Sequence, residues 1–374
     1  MGLFDIFSTK SNSKIPPLLC PFCLNGSLTS GGTTKCSNKE CGRVLPTQYV
    51  QDYHKAPPLF LPMMGLPNAG KSNFLMAATV AVLRGHEFWE HFDYFPLTDE
   101  TDRFITHVEK GMRADVLPVP TDATAIKLAY MLELLGLPRW RNRTWVLRDV
   151  PGEHFKERKI HDNQVPFVIH ANTAFLFFDF NGANEGAGNI TEGANDDRAE
   201  SEERSIDRVF RAYVIALREK GVDFSKEKNR KVVIVLTKAD QLNLSPNLKE
   251  YLDTDEHWDM EQRKKSLTLG GEFLADEAMA LYMLRLRRNS LELRNWVKLQ
   301  PGGAALLNAE RTNNVELQFC MISAIPCGVR FVDDPDPGKR GFKPRGKWQR
   351  PLRILDPFYW ALELNSDPQF HSPL

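Results

Sequence analysis

"PLFLPMMGLPNAGKSNFLMAATVAVLRG", residues 58–85, decides how this chain is built. It opens on an apolar run of strand length, and from Lys71 its apolar residues recur at helical spacing up to Gly85. Between the two, Gly65, Gly70, Lys71 and Ser72 stand in the order G-x-x-x-x-G-K-S. With glycine at roughly 7% of residues, chance produces that order in about one chain per hundred of this length. A turn that happens to hold a lysine is the plain reading. The sharper one is a phosphate cradle. The backbone N–H groups of Gly65, Asn68, Ala69, Gly70, Lys71, Ser72 and Asn73 wrap a phosphate chain, Lys71 reaches its end, and the Ser72 hydroxyl binds magnesium. A buried strand before the loop and a helix behind it favour the cradle, because a helix N-terminus adds partial positive charge toward phosphate.

The rest of the chain alternates short apolar runs with helical patterns, the mark of a mostly parallel sheet covered by helices. "TAFLFFDF" (173–180) and "KVVIVLTK" (231–238) are near-continuous apolar runs, as central parallel strands should be. "SIDRVFRAYVIALREKG" (205–221) between them puts its apolar residues on one helical face. "TAIKLAYMLEL" and "RTWVLRDV" flank "LGLPRWRN", a hairpin and so an antiparallel edge. "TDETDRFITHVEKGM" (98–112) opens on a Thr/Asp cap and predicts an extra helix. A last strand, "VELQFCMIS", and a last helix, "LDPFYWALEL", follow. Two inserted loops interrupt the pattern, a Gly/Asn/acid-rich one at about 181–203 and a proline-punctuated basic one at about 333–351. The charged segment "RLRRNSLELRNWVK" (285–298) suits a solvated helix face or a partner surface.

Three stretches at strand ends point to one nucleotide. "WVLRDVPGE" ends a strand in Asp149, whose carboxylate can hold a magnesium shell, and Gly152 follows, able to turn its N–H toward a terminal phosphate. "VLTKAD" brings Thr237, Lys238 and Asp240. An aspartate there can accept from both N1–H and N2–H of guanine while the lysine stem lies along the base. Adenine offers no such donor pair and would leave the carboxylate unpaired. "MISAIP" sets Ser323 and Ala324 after the last strand, where a backbone N–H can meet the guanine carbonyl.

Taken together, phosphate loop, Asp-x-x-Gly, Thr-Lys-x-Asp and Ser-Ala resemble the Ras-like P-loop GTPases of the translation-factor-related (TRAFAC) class over about residues 57–330. With the cysteine-rich start, "DVPGE" and "ILDPFYWAL", the chain is most similar to the bacterial double-GTPase-like group with an N-terminal zinc ribbon, suspected of roles in conflict or stress systems. The resemblance implies an α/β fold, a six-stranded mostly parallel sheet with one antiparallel edge strand and helices on both faces. It implies GTP/GDP and magnesium as ligands, and loops that order around the third phosphate and relax on hydrolysis. The switch threonine that completes the magnesium shell falls in "LPVPTDAT", as Thr121 or Thr124, with Thr121 favoured because a proline fixes its approach. Glu153 departs from the pattern, standing where Ras-like enzymes carry a water-orienting glutamine. Slow hydrolysis is therefore expected, with Lys71, Thr121, Gly152 and Glu153 around the reacting phosphate. A protein activator or effector, or a homodimer, would supply the missing positive charge. A GTP-stabilised interaction scaffold with little hydrolysis is the alternative.

Cys20-x2-Cys23 and Cys36-x4-Cys41, twelve residues apart on turn-rich sequence, suit four thiolates around a structural zinc ion. The expected layout is a short apolar segment and linker over 1–14, a zinc ribbon over 15–48 and the nucleotide domain over 49–374. "GLFDIF" (2–7) is either a staple onto the globular body or a shallow membrane-surface contact. Lys plus Arg and Asp plus Glu number 48 each, so no bulk electrostatic grip on nucleic acid is expected. Neither a run of eighteen apolar residues nor a secretory leader pattern occurs, and a cytoplasmic location, peripheral to the membrane at most, is the expectation.

Overall fold

The computed structural model describes residues 18–24, 35–66, 68–87, 89, 91–113, 129–150, 165–171, 173–180, 206–224, 230–254, 272–326, 329–332, 341–344 and 350–365. The elements, in chain order, are α1 (Thr47–Asp52), β1 (Pro58–Gly65), α2 (Lys71–Leu83), β2 (Asp93–Pro96), α3 (Asp99–Arg113), β3 (Tyr130–Leu137), β4 (Arg141–Asp149), α4 (Val165–His170), β5 (Thr173–Phe178), α5 (Ile206–Glu219), β6 (Lys231–Leu236), α6 (Pro246–Asp253), α7 (Glu272–Lys298), α8 (Gly303–Asn313), β7 (Glu316–Met321), β8 (Val329–Val332), β9 (Gly341–Pro344) and α9 (Asp356–Leu364).

One sheet has seven strands in the order β2-β3-β4-β1-β5-β6-β7, and β8 and β9 form a separate ribbon. β1, β4, β5, β6 and β7 are parallel, while β3 runs antiparallel to both β2 and β4. The expectation of six strands with an antiparallel edge is corrected on both counts. The four-residue β2 adds itself outside the hairpin, so the antiparallel strand is second from the edge. "DYFP" alternates exposed and half-buried residues and ends in proline, too short and too weakly apolar to announce a strand. The basic insertion also holds part of a ribbon, with Phe331 opposite Phe342.

All six residues of β5 are buried, as a strand covered on both faces must be. One face packs under α2, α3, the first half of α7 and α9, and the other under α4, α5, the second half of α7 and α8. α7 thereby wraps the β7 edge. Its Ser290 hydroxyl accepts from the Phe319 amide at 2.9 Å, and Glu310 of α8 accepts from the Leu317 amide at 3.2 Å. Two outward-facing strand donors are thus satisfied by side chains, which closes an edge that would otherwise invite pairing. The solvated-face reading of 285–298 holds for Arg288 but not for Arg294, which is paired with Glu310.

α9 is buried from Asp356 to Glu363. Phe358 stacks on Trp145 at 3.9 Å, and Tyr359 on Trp140 at 5.8 Å. Just before it, Arg353 is 1% exposed and donates to Asp356 at 3.0 Å, with Tyr251 and Tyr282 also donating to that carboxylate. Arg353→Met is expected to cost about 3–5 kcal/mol, since it strands a buried carboxylate. Arg353→Met/Asp356→Asn should recover part of this in urea denaturation. A single-variant loss below about 1 kcal/mol would show the pair to be dispensable.

Candidate functional site

β1 is the switch point of the sheet: β4 lies on one side of it and β5 on the other. In such sheets the crevice at the carboxyl ends of the strands beside the switch point holds ligands. Met63 of β1 pairs with Asp149 of β4, and Gly65 pairs with Phe177 of β5, so the glycine-rich loop and Asp149 leave the sheet side by side.

Gly65 has φ +149°, and a Cβ there would sit 2.5 Å from the Phe177 carbonyl oxygen, so close approach of two backbones demands glycine. Asn68 is left-handed and exposed, and Ala69 is buried with its amide on the Leu66 carbonyl. Gly70, at φ +83°, is the residue before α2, and no side chain caps that helix. The first-turn amides of Lys71, Ser72 and Asn73 therefore head a helix with no acidic residue in its first turn. Lys71 is 8% exposed, and its ammonium donates to the carbonyls of Gly65 at 3.0 Å and Leu66 at 3.3 Å. An anion seated in the loop would meet that ammonium and the helix N-terminus together. The half-buried Ser72 hydroxyl and Asp149 carboxylate are the oxygen donors that suit a hard cation such as magnesium.

The second half of the site lies at the ends of β6 and β7. The Thr237 hydroxyl and amide both donate to the Phe178 carbonyl, at 3.3 and 2.9 Å. Its methyl and hydroxyl would lie 3.5 and 3.6 Å from a Cβ on Gly70, so it packs the turn after β6 against the glycine-rich loop. Lys238 takes left-handed φ +52° and pairs with Asp179, at the end of β5, at 2.5 Å. Asp240 follows on a short 3-10 turn and accepts from the Ser323 hydroxyl. Burial pushes the Asp240 carboxyl above its ordinary value, opposed by the Ser323 hydroxyl, its own backbone amide and Lys238. Ser323 is held in place because its amide and carbonyl exchange hydrogen bonds with Leu352 at 3.0 and 2.8 Å. Ala324 is half-buried beside it.

Gly65, Asn68, Ala69, Gly70, Lys71, Ser72, Asn73, Asp149, Thr237, Lys238, Asp240, Ser323 and Ala324 thus sit along one end of the sheet. Thr121, Thr124, Gly152, Glu153, residues 2–7 and the loop at 181–203 lie outside the described residues. Asp179 and Leu352 were not legible as site residues. The only signal for Asp179 was an acid directly after the apolar run of β5, and for Leu352 there was none.

The four cysteines form a second centre. Their sulfurs lie within 4.8 Å of one another, with Cys20–Cys41 at 3.9 Å and Cys23–Cys36 at 3.6 Å. Those separations bracket the edge of a tetrahedron of zinc–sulfur bonds, ~3.8 Å for bonds of ~2.3 Å, and far exceed a disulfide. Backbone amides of Phe22 and Cys23 favour the Cys20 thiolate and that of Asn38 the Cys36 thiolate, against the burial that pushes both thiols up. Gly42, at φ +53°, closes the second knuckle. The donor set and spacing could hold a zinc ion.

Among the described residues no helix is long and apolar enough to cross a membrane. No curated protein matches the chain. Residues 59–268 match the Double-GTPase 2 family. That span runs from β1 through the glycine-rich loop, Asp149 and the Thr-Lys-x-Asp turn, more than half of the chain. On that match the chain, a mostly parallel α/β protein with a GTP-binding domain, belongs to the Double-GTPase 2 family.

Proposed function

We propose that the protein is a guanine-nucleotide switch that hydrolyses GTP slowly to GDP and phosphate and controls a protein partner, in a translation-factor-related GTPase domain joined to an N-terminal zinc ribbon. The observation that carries this reading is the convergence of two loops at one sheet end. Lys71 stands beside the uncapped N-terminus of α2, where phosphates would sit in this reading, and Asp240, steadied by Ser323, stands at the end of β6, where the base would sit.

In this reading Ser72, Thr121 and Asp149 hold magnesium, and Gly152 directs its amide to the terminal phosphate. Lys238, fixed by Asp179, lays its stem along the base. Glu153 beside the attacking water makes the intrinsic reaction slow, because a carboxylate there repels the phosphates. A partner or a second copy of the chain would add an arginine, worth about 10³–10⁵ in rate.

Glu153 also favours the second reading, a GTP-stabilised scaffold. Single-turnover phosphate release decides between them, with an expected rate on the order of 10⁻³ s⁻¹ or below for the chain alone. Glu153→Gln should change that rate far more than it changes affinity. Phosphate release no faster than the buffer blank in both proteins would leave the scaffold.

A further inference from the structure

The four-cysteine module does not stand apart from the sheet. Leu24, Leu45, Tyr49 and Tyr53 pack with Met131 of β3, Val146 of β4 and Phe167 of α4 in one buried cluster. Two hydrogen bonds sew the first knuckle to α1 and the turn after it: Tyr49 Oη donates to the Leu19 carbonyl at 2.8 Å, and the Leu19 amide to Tyr53 Oη at 3.3 Å. A third reaches the candidate site. Arg148 Nη1 donates to the carbonyl of Phe22 at 2.9 Å, across 126 residues of sequence.

Phe22 stands between Cys20 and Cys23, and Arg148 stands directly before Asp149. The Arg148 guanidinium also lies 5.7 Å from the Phe167 ring centre, and Arg43 lies 5.2 Å over the Phe22 ring. Four thiolates around a divalent cation carry a net charge of about −2. Two guanidinium groups beside such a centre are electrostatically suited to it. Burial lowers the proton affinity of Arg148, as does Arg43, while thiolate charge on Cys23 and Cys41 opposes both.

We propose that the site of Cys20, Cys23, Cys36 and Cys41 is a metal-dependent brace on the end of β4, with Arg148 the positioning residue that links it to Asp149. A knuckle of a few residues keeps its shape when its ligands are tied to one ion, since so small a module buries little of its own. With the knuckle set, the Phe22 carbonyl is a fixed acceptor and Arg148 is anchored. Without it, the strand end loses that anchor and keeps its ladder bonds and the Val150 amide on the Met63 carbonyl. That Asp149 then serves magnesium rests on the function proposed above. Coupling of this kind is reciprocal, so magnesium-nucleotide should also slow loss of the metal from the cysteines.

The test uses the full chain with its metal as purified, about one zinc per chain. Deuterium uptake is followed in a peptide spanning Trp145–Val150, before and after metal removal by a chelator, in wild type, Arg148→Met and Arg148→Lys. Metal removal is expected to speed exchange there by about tenfold or more, as expected for losing one charge-assisted hydrogen bond. Arg148→Met should do the same with zinc content retained and only a small drop in thermal midpoint, add nothing further once metal is gone, and be largely rescued in Arg148→Lys. Arg148→Met should also raise the magnesium concentration for half-maximal binding of a fluorescent GDP about tenfold.

Exchange that ignores metal removal, or an Arg148→Met effect that adds in full to it, overturns the brace. Faster exchange with an unchanged magnesium requirement overturns the positioning role. A wild-type chain that binds no guanine nucleotide sinks the nucleotide reading instead, and the exchange results still decide the brace.

Discussion

Lys71→Ala is expected to weaken GTP binding by about 10²–10³-fold while the protein stays folded. The ammonium is buried, sits at the N-terminus of an uncapped helix, and is held by two main-chain carbonyls 3.0 and 3.3 Å away. Each charge-assisted hydrogen bond it makes to a phosphate is worth about 1.5–3 kcal/mol, and the lower half of the range for two of them matches the expected loss, since the ammonium already bonds to two carbonyls. Alanine also leaves the carbonyls of Gly65 and Leu66 without that donor, so a small drop in thermal midpoint should accompany the loss. Calorimetry against GTP, with a melting curve on the same sample, separates the two effects. Unchanged affinity in a folded variant would remove the phosphate reading of the loop.

Asp240→Asn should weaken GTP by tenfold to a hundredfold and improve binding of xanthosine triphosphate. The carboxylate is proposed to accept from guanine N1–H and N2–H, about 1.5–3 kcal/mol for each bond. Asparagine keeps one acceptor and turns an amide donor toward the guanine amino group, which repels it. Xanthine carries a carbonyl at that ring position and accepts from the same amide. Ser323 holds Asp240 in place and can still donate to the asparagine oxygen, so the variant should fold.

The acid dependence follows from the same carboxyl. Its burial raises its pKa, so in the free protein ionisation of Asp240 costs stability as pH rises past the ordinary carboxylate range. Guanine supplies two donors to the ionised form, and affinity should therefore fall as pH drops through the raised value. A competition assay in which Asp240→Asn keeps the wild-type preference for GTP over the xanthine nucleotide would show that Asp240 does not read the base.

The turns on which the proposed site rests were legible in the sequence, since Gly65 and Gly70 do take positive φ and α2 does start at Lys71. In the proposed reading, Gly65, Gly70, Lys71 and Ser72 must be neighbours for one loop to turn around phosphate, and Lys238 and Asp240 must share one turn. What pairs across the fold was not legible. Asp179 meets Lys238 only because β5 and β6 are adjacent in the sheet, and Ser323 meets Leu352 only because the chain returns beside β7. Arg148 read as an unremarkable strand residue, since apolar alternation tells which face a side chain takes and not what covers that face.

The same limit applies to architecture. The apolar runs of β5 and β6 announced central strands, while β2 and the ribbon of β8 and β9 have too few apolar residues to stand out from loops. α9 looked like an ordinary closing helix. Its burial on nearly all sides depends on Trp140 and Trp145 of the β3–β4 hairpin and on Phe74 of α2, all far from it in sequence.

The most direct measurement is a magnesium-containing titration of the purified chain with GTP, GDP and ATP side by side. GTP and GDP are expected to bind with ATP at least about a hundredfold weaker, the discrimination that a buried carboxylate facing the wrong base imposes. Equal binding of ATP and GTP, or no binding of either guanine nucleotide, would contradict it.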